Sequence, residues 1–158
     1  MGGIPESGAN SMPVPPSRQI QHHMTKALVV VPATATVEAS AKLMRRHTVR
    51  HLPVVDGKGK LVGIVSQRDL LLVESIPGVV AAEVPVSEAM NKDVYRAQPD
   101  EAVEKVARTM ADKRYGACVV ANKGNLLGLF TTTDALNLLA HHFEKLERQR
   151  LRRRKSGA

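Results

Sequence analysis

The sequence predicts an α+β fold made of two copies of one β-α-β-β-α unit, packed with pseudo-twofold symmetry. Three observations carry this expectation. Met24-Thr25-Lys26-Ala27-Leu28-Val29 matches Met90-Asn91-Lys92-Asp93-Val94-Tyr95 at an offset of 66, and the offset persists through Val37/Val103 and Met44/Met110. It then drops to 65 at Gly63/Gly128, Ser66/Thr131 and Asp69/Asp134. The missing residue falls where Asp56-Gly57-Lys58-Gly59-Lys60 faces the shorter Asn122-Lys123-Gly124-Asn125. Turns tolerate deletions that core elements do not, so the alignment breaks where a duplication should break.

Each copy reads in the same order. A β-prone run opens it, at residues 27–31 and 94–97, and Pro32 or Pro99 follows. Next comes a helix. Thr36 before Val37, Ala41 and Met44, and Asp100 before Val103, Ala107 and Met110, supply N-caps and an apolar face. Residues 51–55 and 61–65, joined by a Gly-rich turn, read as a hairpin, and so do residues 117–121 and 126–130. A second helix closes each copy, over residues 67–73 and from Thr133 onward. The last one carries Leu136, Leu139, Phe143 and Leu146 and is expected to fray in a basic tail.

Along the chain this gives an arm over residues 1–18, a first repeat over 19–75 and a linker over 76–85. A second repeat over 86–145 and a basic tail over 146–158 complete the division. The arm holds four Pro, three Gly and three Ser, a composition that predicts disorder. Its first ten residues have neither a basic start nor an apolar run, so no secretory leader is expected. No apolar run approaches the ~20 residues of a membrane span. The single cysteine, Cys118, sits in an apolar run, which predicts a reduced, buried thiol and a cytoplasmic protein.

Charge is concentrated rather than spread. The net charge is +8, yet the last fifteen residues carry seven Lys/Arg and two Glu, leaving the remainder near balance. Aromatic residues make up only 3% of the chain, so the core must be built from Val, Leu, Ile, Ala and Met.

The stretches Arg50-His51-Leu52-Pro53-Val54-Val55-Asp56 and Gly63-Ile64-Val65-Ser66-Gln67-Arg68-Asp69 resemble the signature of a CBS domain. The second copy, Gly116-Ala117-Cys118-Val119-Val120 with Gly128-Leu129-Phe130-Thr131-Thr132-Thr133-Asp134, is similar but has Val119 where the first has Pro53. The resemblance covers roughly residues 20–145. It implies tandem CBS domains, a Bateman module with two clefts, and a non-catalytic regulatory role. It further implies that an adenosine-containing nucleotide is bound: AMP, ADP or ATP foremost, with S-adenosylmethionine possible.

The residues make chemical sense of that implication. Ser66 and Thr131 stand where a strand gives way to a helix, beside free backbone N–H groups that suit an anion. Asp69 and Asp134 follow one helical turn later, and a carboxylate can accept both hydroxyls of a ribose diol. The same Ser/Thr-x-x-Asp spacing is also a plain helix cap. By resemblance, the hydroxyl residue meets phosphate and the acid meets ribose. Basic residues at the end of the preceding helix, Arg46 and His47 in one copy and Lys113 and Arg114 in the other, also reach toward phosphate by resemblance. They equally complement a helix C-terminus. Arg68 adds a cation whose counterpart is the neutral Thr133, so by charge the first cleft should favour more phosphate, although Lys113 and Arg114 blur the contrast. Adenine walls are expected from residues 29–33 and 52–54 and their counterparts.

Other constellations point nowhere. Neighbouring helical residues diverge by about 100°, so His22-His23 and His141-His142 make poor metal ligands, and no metal site is expected. Gly57-Lys58-Gly59-Lys60 lacks phosphate-loop spacing. No nucleophile elbow or Cys-x-x-Cys is present. The resemblance implies a homodimer, for which Leu136, Leu139 and Phe143 suit a face, and a regulated protein partner. The alternative is a scaffold or nucleic-acid adaptor acting through the basic tail, though no aromatic residue interleaves there for base stacking.

Overall fold

A computed structural model describes residues 13–156. Its two sheets have the same order. In the first, β1 (Val31–Pro32) pairs parallel with β2 (His51–Val55), which pairs antiparallel with β3 (Leu61–Ser66). The second repeats this with β4 (Arg96–Ala97), β5 (Ala117–Asn122) and β6 (Asn125–Thr131). Helices α1 (Val37–His47) and α3 (Val103–Lys113) cross between the parallel strands. Helices α2 (Gln67–Glu74) and α4 (Thr132–Ser156) follow the hairpins.

The hairpin registers locate the lost residue. His51 pairs with Ser66 and Ala117 with Thr131, and both first-strand partners bulge at the same place, after Val54 and after Val120. Between the pairs Val55–Leu61 and Ala121–Leu126 lie residues 56–60 and 122–125. The shorter turn is tight, with Lys123 and Gly124 at φ 48° and 84°, the left-handed pair that a two-residue hairpin demands.

Three local expectations are corrected. The opening strands are short, two residues each, and the first includes Pro32, which stands at the sheet edge where its missing N–H costs nothing. Thr36 caps α1, its side chain accepting from Ala39 N at 3.1 Å. Asp100, by contrast, does not cap α3: Ala102 holds the cap position without a side-chain bond, and Asp100 lies two residues too early. Finally, α4 does not fray after Leu146 but continues to Ser156. Glu, Lys, Leu, Gln and Arg are strong helix formers, and Glu144 pairs with Arg148 one turn on at 3.2 Å. The expected arm over residues 1–18 falls largely on residues 1–12, outside the described residues; a short 3₁₀ turn occupies Pro16–Arg18.

The two cores are completed reciprocally. Val31, Val37, Met44, Leu52, Val54 and Val65 form the first, together with Val86, which comes from the second repeat and is 0% exposed. Val103, Val106, Met110, Cys118, Val120 and Phe130 form the second, together with Ile20 of the first, also 0% exposed. Backbone bonds hold both crossings. Ile20 N donates to Glu101 O (2.8 Å) and Thr25 exchanges two bonds with Leu129; Val86 N donates to Ala35 O (2.6 Å) and Asn91 exchanges two with Ile64. Met24 lies against Gly128 and Met90 against Gly63, where an added Cβ would overlap the methionine sulfur. A smaller apolar contact, Leu61 with Val119 and Leu129, joins the two sheets.

Cys118 is buried, and burial with Glu101 nearby pushes its thiol up to about 12. A thiol held protonated at neutral pH packs as a small apolar side chain.

Truncating Ile20 to Ala should cost about 2–5 kcal/mol in urea unfolding, as expected for a fully buried branched side chain. A loss below roughly 0.5 kcal/mol, the range of surface substitutions, would mean that the segment does not belong to the second core.

Candidate ligand-binding clefts

Each strand-to-helix junction is built by one four-residue device. Ser66 N (2.7 Å) and Ser66 Oγ (2.6 Å) both donate to Asp69 Oδ2, while Asp69 N donates back to Ser66 Oγ at 3.2 Å. Thr131 and Asp134 repeat it at 2.8, 2.7 and 3.3 Å. This is a reciprocal cap that starts the helix, so the structural reading of the motif holds. One carboxylate oxygen does that work. The other, Oδ1, has no hydrogen-bond partner in Asp69 among the described residues, and in Asp134 it meets only Thr25 Oγ1, at 3.4 Å.

Both devices open onto clefts walled by the opposite repeat. The first, about 580 Å³, brings Ser66, Arg68 and Asp69 together with Asn91, Asp93 and Tyr95, and with residues 114–117. The second, about 430 Å³, joins residues 131–134 to Thr25, Leu28, Val29, Thr48 and Pro53. Arg50 and His51 line both.

Most of the sequence-derived residues therefore converge, with corrections. Ser66, Arg68 and Asp69 share the first cleft, and Thr131, Thr133 and Asp134 share the second. Arg114 lies in the first cleft rather than in that of its own repeat. Arg46, His47 and Lys113 line neither. The physical reason is where the helix stops. Thr48 (φ 54°) and Arg114 (φ 58°) are the left-handed residues that end α1 and α3 and turn the chain into the clefts, while the residues before them stay on the helix surface. Of the expected adenine wall, Val29 and Pro53 line the second cleft, whereas Val31, Leu52 and Val54 are core.

Sequence reasoning missed Arg50, His51, Tyr95 and Tyr115. The tyrosine signal was available: the chain has two tyrosines, and both line the first cleft, their rings stacked at 5.5 Å. His51 and Arg50 were hidden because they belong to a wall shared across repeats. Gly116 occupies the position equivalent to Arg50, and a Cβ there would come within 2.7 Å of His51 Nε2. Burial pushes His51 below its ordinary 6.5; the Asp69 carboxylate opposes this and Arg50 adds to it.

A family model for the CBS domain matches residues 18–75 and again residues 86–141. The chain belongs to the CBS-domain family. The pair is 35% identical over 122 residues to the magnesium transporter MgtE of Thermus thermophilus, covering 73% of this chain but only 26% of the transporter. It is 28% identical over 123 residues to the CBS domain-containing protein YhcV of Bacillus subtilis, covering 77% of this chain and 86% of YhcV. Among solved structures, AcuB from Vibrio cholerae matches with a TM-score of 0.73 and 32% identity, over 82% of this chain and 96% of AcuB. The CBS-domain pair of protein MJ0100, solved with 5′-methylthioadenosine and S-adenosyl-L-methionine, matches with a TM-score of 0.72 and 25% identity, over 78% and 97%. Among the described residues no helix is long and apolar enough to cross a membrane.

His51 should titrate by NMR with a midpoint below 6.5. Because its folded value is the lower one, protonation favours the unfolded chain, so this residue's contribution to stability is present above 6.5 and is lost as pH falls from there through its folded midpoint. A midpoint at or above 6.5 would mean the ring is not packed between the clefts.

Proposed function

We propose that this CBS pair is a sensor that binds an adenosine-containing nucleotide and conveys its presence to a protein partner. The observation that carries the reading is the pair of clefts, each with a hydroxyl–carboxylate cap on one repeat and a wall from the other. A ribose diol can donate to the spare Asp oxygen without disturbing the cap. Phosphate would sit at the helix start beside the Ser or Thr, with the first cleft's arginines as bidentate partners. The apolar wall at Val29 and Pro53 suits adenine in the second cleft. AMP, ADP and ATP fit this chemistry foremost, and S-adenosylmethionine fits it too; the adenosyl compounds held by the MJ0100 pair support the class. Ligand in either cleft touches both repeats, so it has differential affinity for their relative positions, and a population shift requires that difference. The buried, protonated Cys118 is in keeping with a cytoplasmic setting.

The sensor works as a homodimer in this reading. Leu136, Leu139, Phe143 and Leu146 are 65%, 52%, 62% and 45% exposed along one side of α4. Their 3-4-3 spacing is a short coiled-coil seam that a second copy of the helix can cover.

A second reading rests on the end of α4, where Arg148, Arg150, Arg152, Arg153 and Arg154 are all exposed. A polyanion such as duplex nucleic acid would bind there, with an affinity that falls steeply as salt rises.

In a thermal-shift panel of AMP, ADP, ATP, NAD and S-adenosylmethionine, at least one compound should stabilise the chain, by about 2.7 kcal/mol at 100 times its Kd. Asp69→Asn with Asp134→Asn keeps an acceptor for each cap and should remove that shift; a full shift in the double variant overturns the assigned role. A flat panel with the wild-type chain, together with salt-steep binding to duplex nucleic acid, would favour the second reading. Phe143→Glu should convert a dimer to a monomer in sedimentation velocity, and a wild-type chain that is monomeric at every concentration would refute the seam.

A further inference from the structure

The two clefts descend from one repeat, yet their equivalent positions carry different chemistry. Arg68 in the first corresponds to Thr133 in the second, and Arg114 to Thr48. Tyr95 and Tyr115 correspond to Val29 and Val49. Three pairs run the other way: Arg50 and His51, which line both clefts, have Gly116 and Ala117 as equivalents, and the carboxylate of Asp93 in the first cleft corresponds to the neutral Ala27. The first cleft thus has three arginines against the carboxylates of Asp69 and Asp93, and about 580 Å³. The second has Arg50 alone against Asp134, with threonines and apolar side chains for the rest, in about 430 Å³.

We propose that the clefts take different classes of adenosyl ligand: a nucleoside polyphosphate in the first, and an adenosyl compound without a polyphosphate in the second. This rests on the nucleotide-sensing reading and divides its labour. Phosphate groups need cations that are planar, always charged and able to donate two bonds at once, and arginine is the residue that does so. Arg68 stands beside Asp69 at the start of α2, and Arg114 reaches the same cleft from the end of α3 in the other repeat. A chain of two or three phosphates leaving a ribose at Asp69 has cations on both sides. In the second cleft Thr133 and Thr48 leave those positions neutral, so a polyphosphate would give up its hydration without equivalent partners. A thioether or sulfonium adenosyl compound, or a free nucleoside, needs only the ribose acceptor at Asp134 and the apolar wall. Arg50 adds a consequence. As the one cation the second cleft can use, it is drawn toward the first when polyphosphate is bound, which sharpens the difference between the clefts.

Calorimetric titration with ATP and with 5′-methylthioadenosine tests this. ATP should fill one site per chain, and 5′-methylthioadenosine should still bind one site when ATP is saturating. Arg68→Thr with Arg114→Asn should weaken ATP by about tenfold or more and leave 5′-methylthioadenosine unchanged; asparagine tolerates the left-handed backbone at position 114. Thr133→Arg, on an exposed position, should raise the ATP stoichiometry toward two. Two equivalent ATP sites in the wild-type chain, one-for-one competition between the probes, or equal weakening of both in the double variant would overturn the assignment. If neither probe, nor any other adenosyl compound, binds the wild-type chain, the sensing reading itself fails and this division with it.

Discussion

The rest of the structure depends on the reciprocal crossing of the two segments that precede the repeats. Ile20 and Val86 each fill the other repeat's core, and Met24 and Met90 each lie on the other repeat's glycine. Neither repeat can bury its apolar surface alone, because each lacks one fully buried side chain until the other supplies it. The crossing shapes the clefts as well as the cores. The chain that leaves Met24 for Val29, and the chain that leaves Met90 for Tyr95, become the far walls of the clefts. A side chain larger than glycine at 63 or 128 would lift those walls away from the caps they face.

In the sensor reading, folding and binding share the same carboxylates. In each cap one oxygen of Asp69 or Asp134 accepts two bonds from the residue that starts the helix. The geometry that makes the helix begin also holds the second oxygen in place before any ligand arrives. Such preorganisation lowers the ordering cost of binding. The alternatives posed by the sequence, a cap or a ligand contact, are therefore not exclusive: the cap is present, and in the sensor reading it aims the contact.

Much of this was legible in the sequence because the repeat is sampled twice. The offset change from 66 to 65 predicted a shortened turn, and the hairpin registers place it there. The pairing of Ser66 with Asp69 and Thr131 with Asp134 followed from local spacing alone. What stayed hidden was relational. Arg114 could be assigned to a helix end, but nothing local says that this end opens into the cleft of the other repeat. Arg46, His47 and Lys113 looked equivalent to it, because a charge count does not reveal at which residue the backbone turns left-handed. Asp100 looked like a cap because it precedes an apolar face, while the helix waits for Ala102, held by its bridge to Gln19. The extent of α4 was misjudged for another reason: charge density was weighed above the strong helix propensity of the same residues.

In the sensor reading, binding is read out where the two sheets and the last helix meet the clefts. Each core is completed across the repeats, and the sheets also meet directly through the Leu61, Val119 and Leu129 cluster. In that reading, a ligand bridging the repeats acts on this contact between the sheets. Residues 132–134, the root of α4, line the second cleft, while Ala135 and Leu138 anchor the helix on the second core. Beyond Leu138 every side chain described on α4 is exposed. The helix is about 37 Å long at ~1.5 Å per residue, so a small tilt at its root becomes a larger displacement of the apolar seam and the arginines beyond it. In the sensor reading, the element that begins in a cleft and ends in the solvent is the one a partner, or a second copy, is best placed to feel.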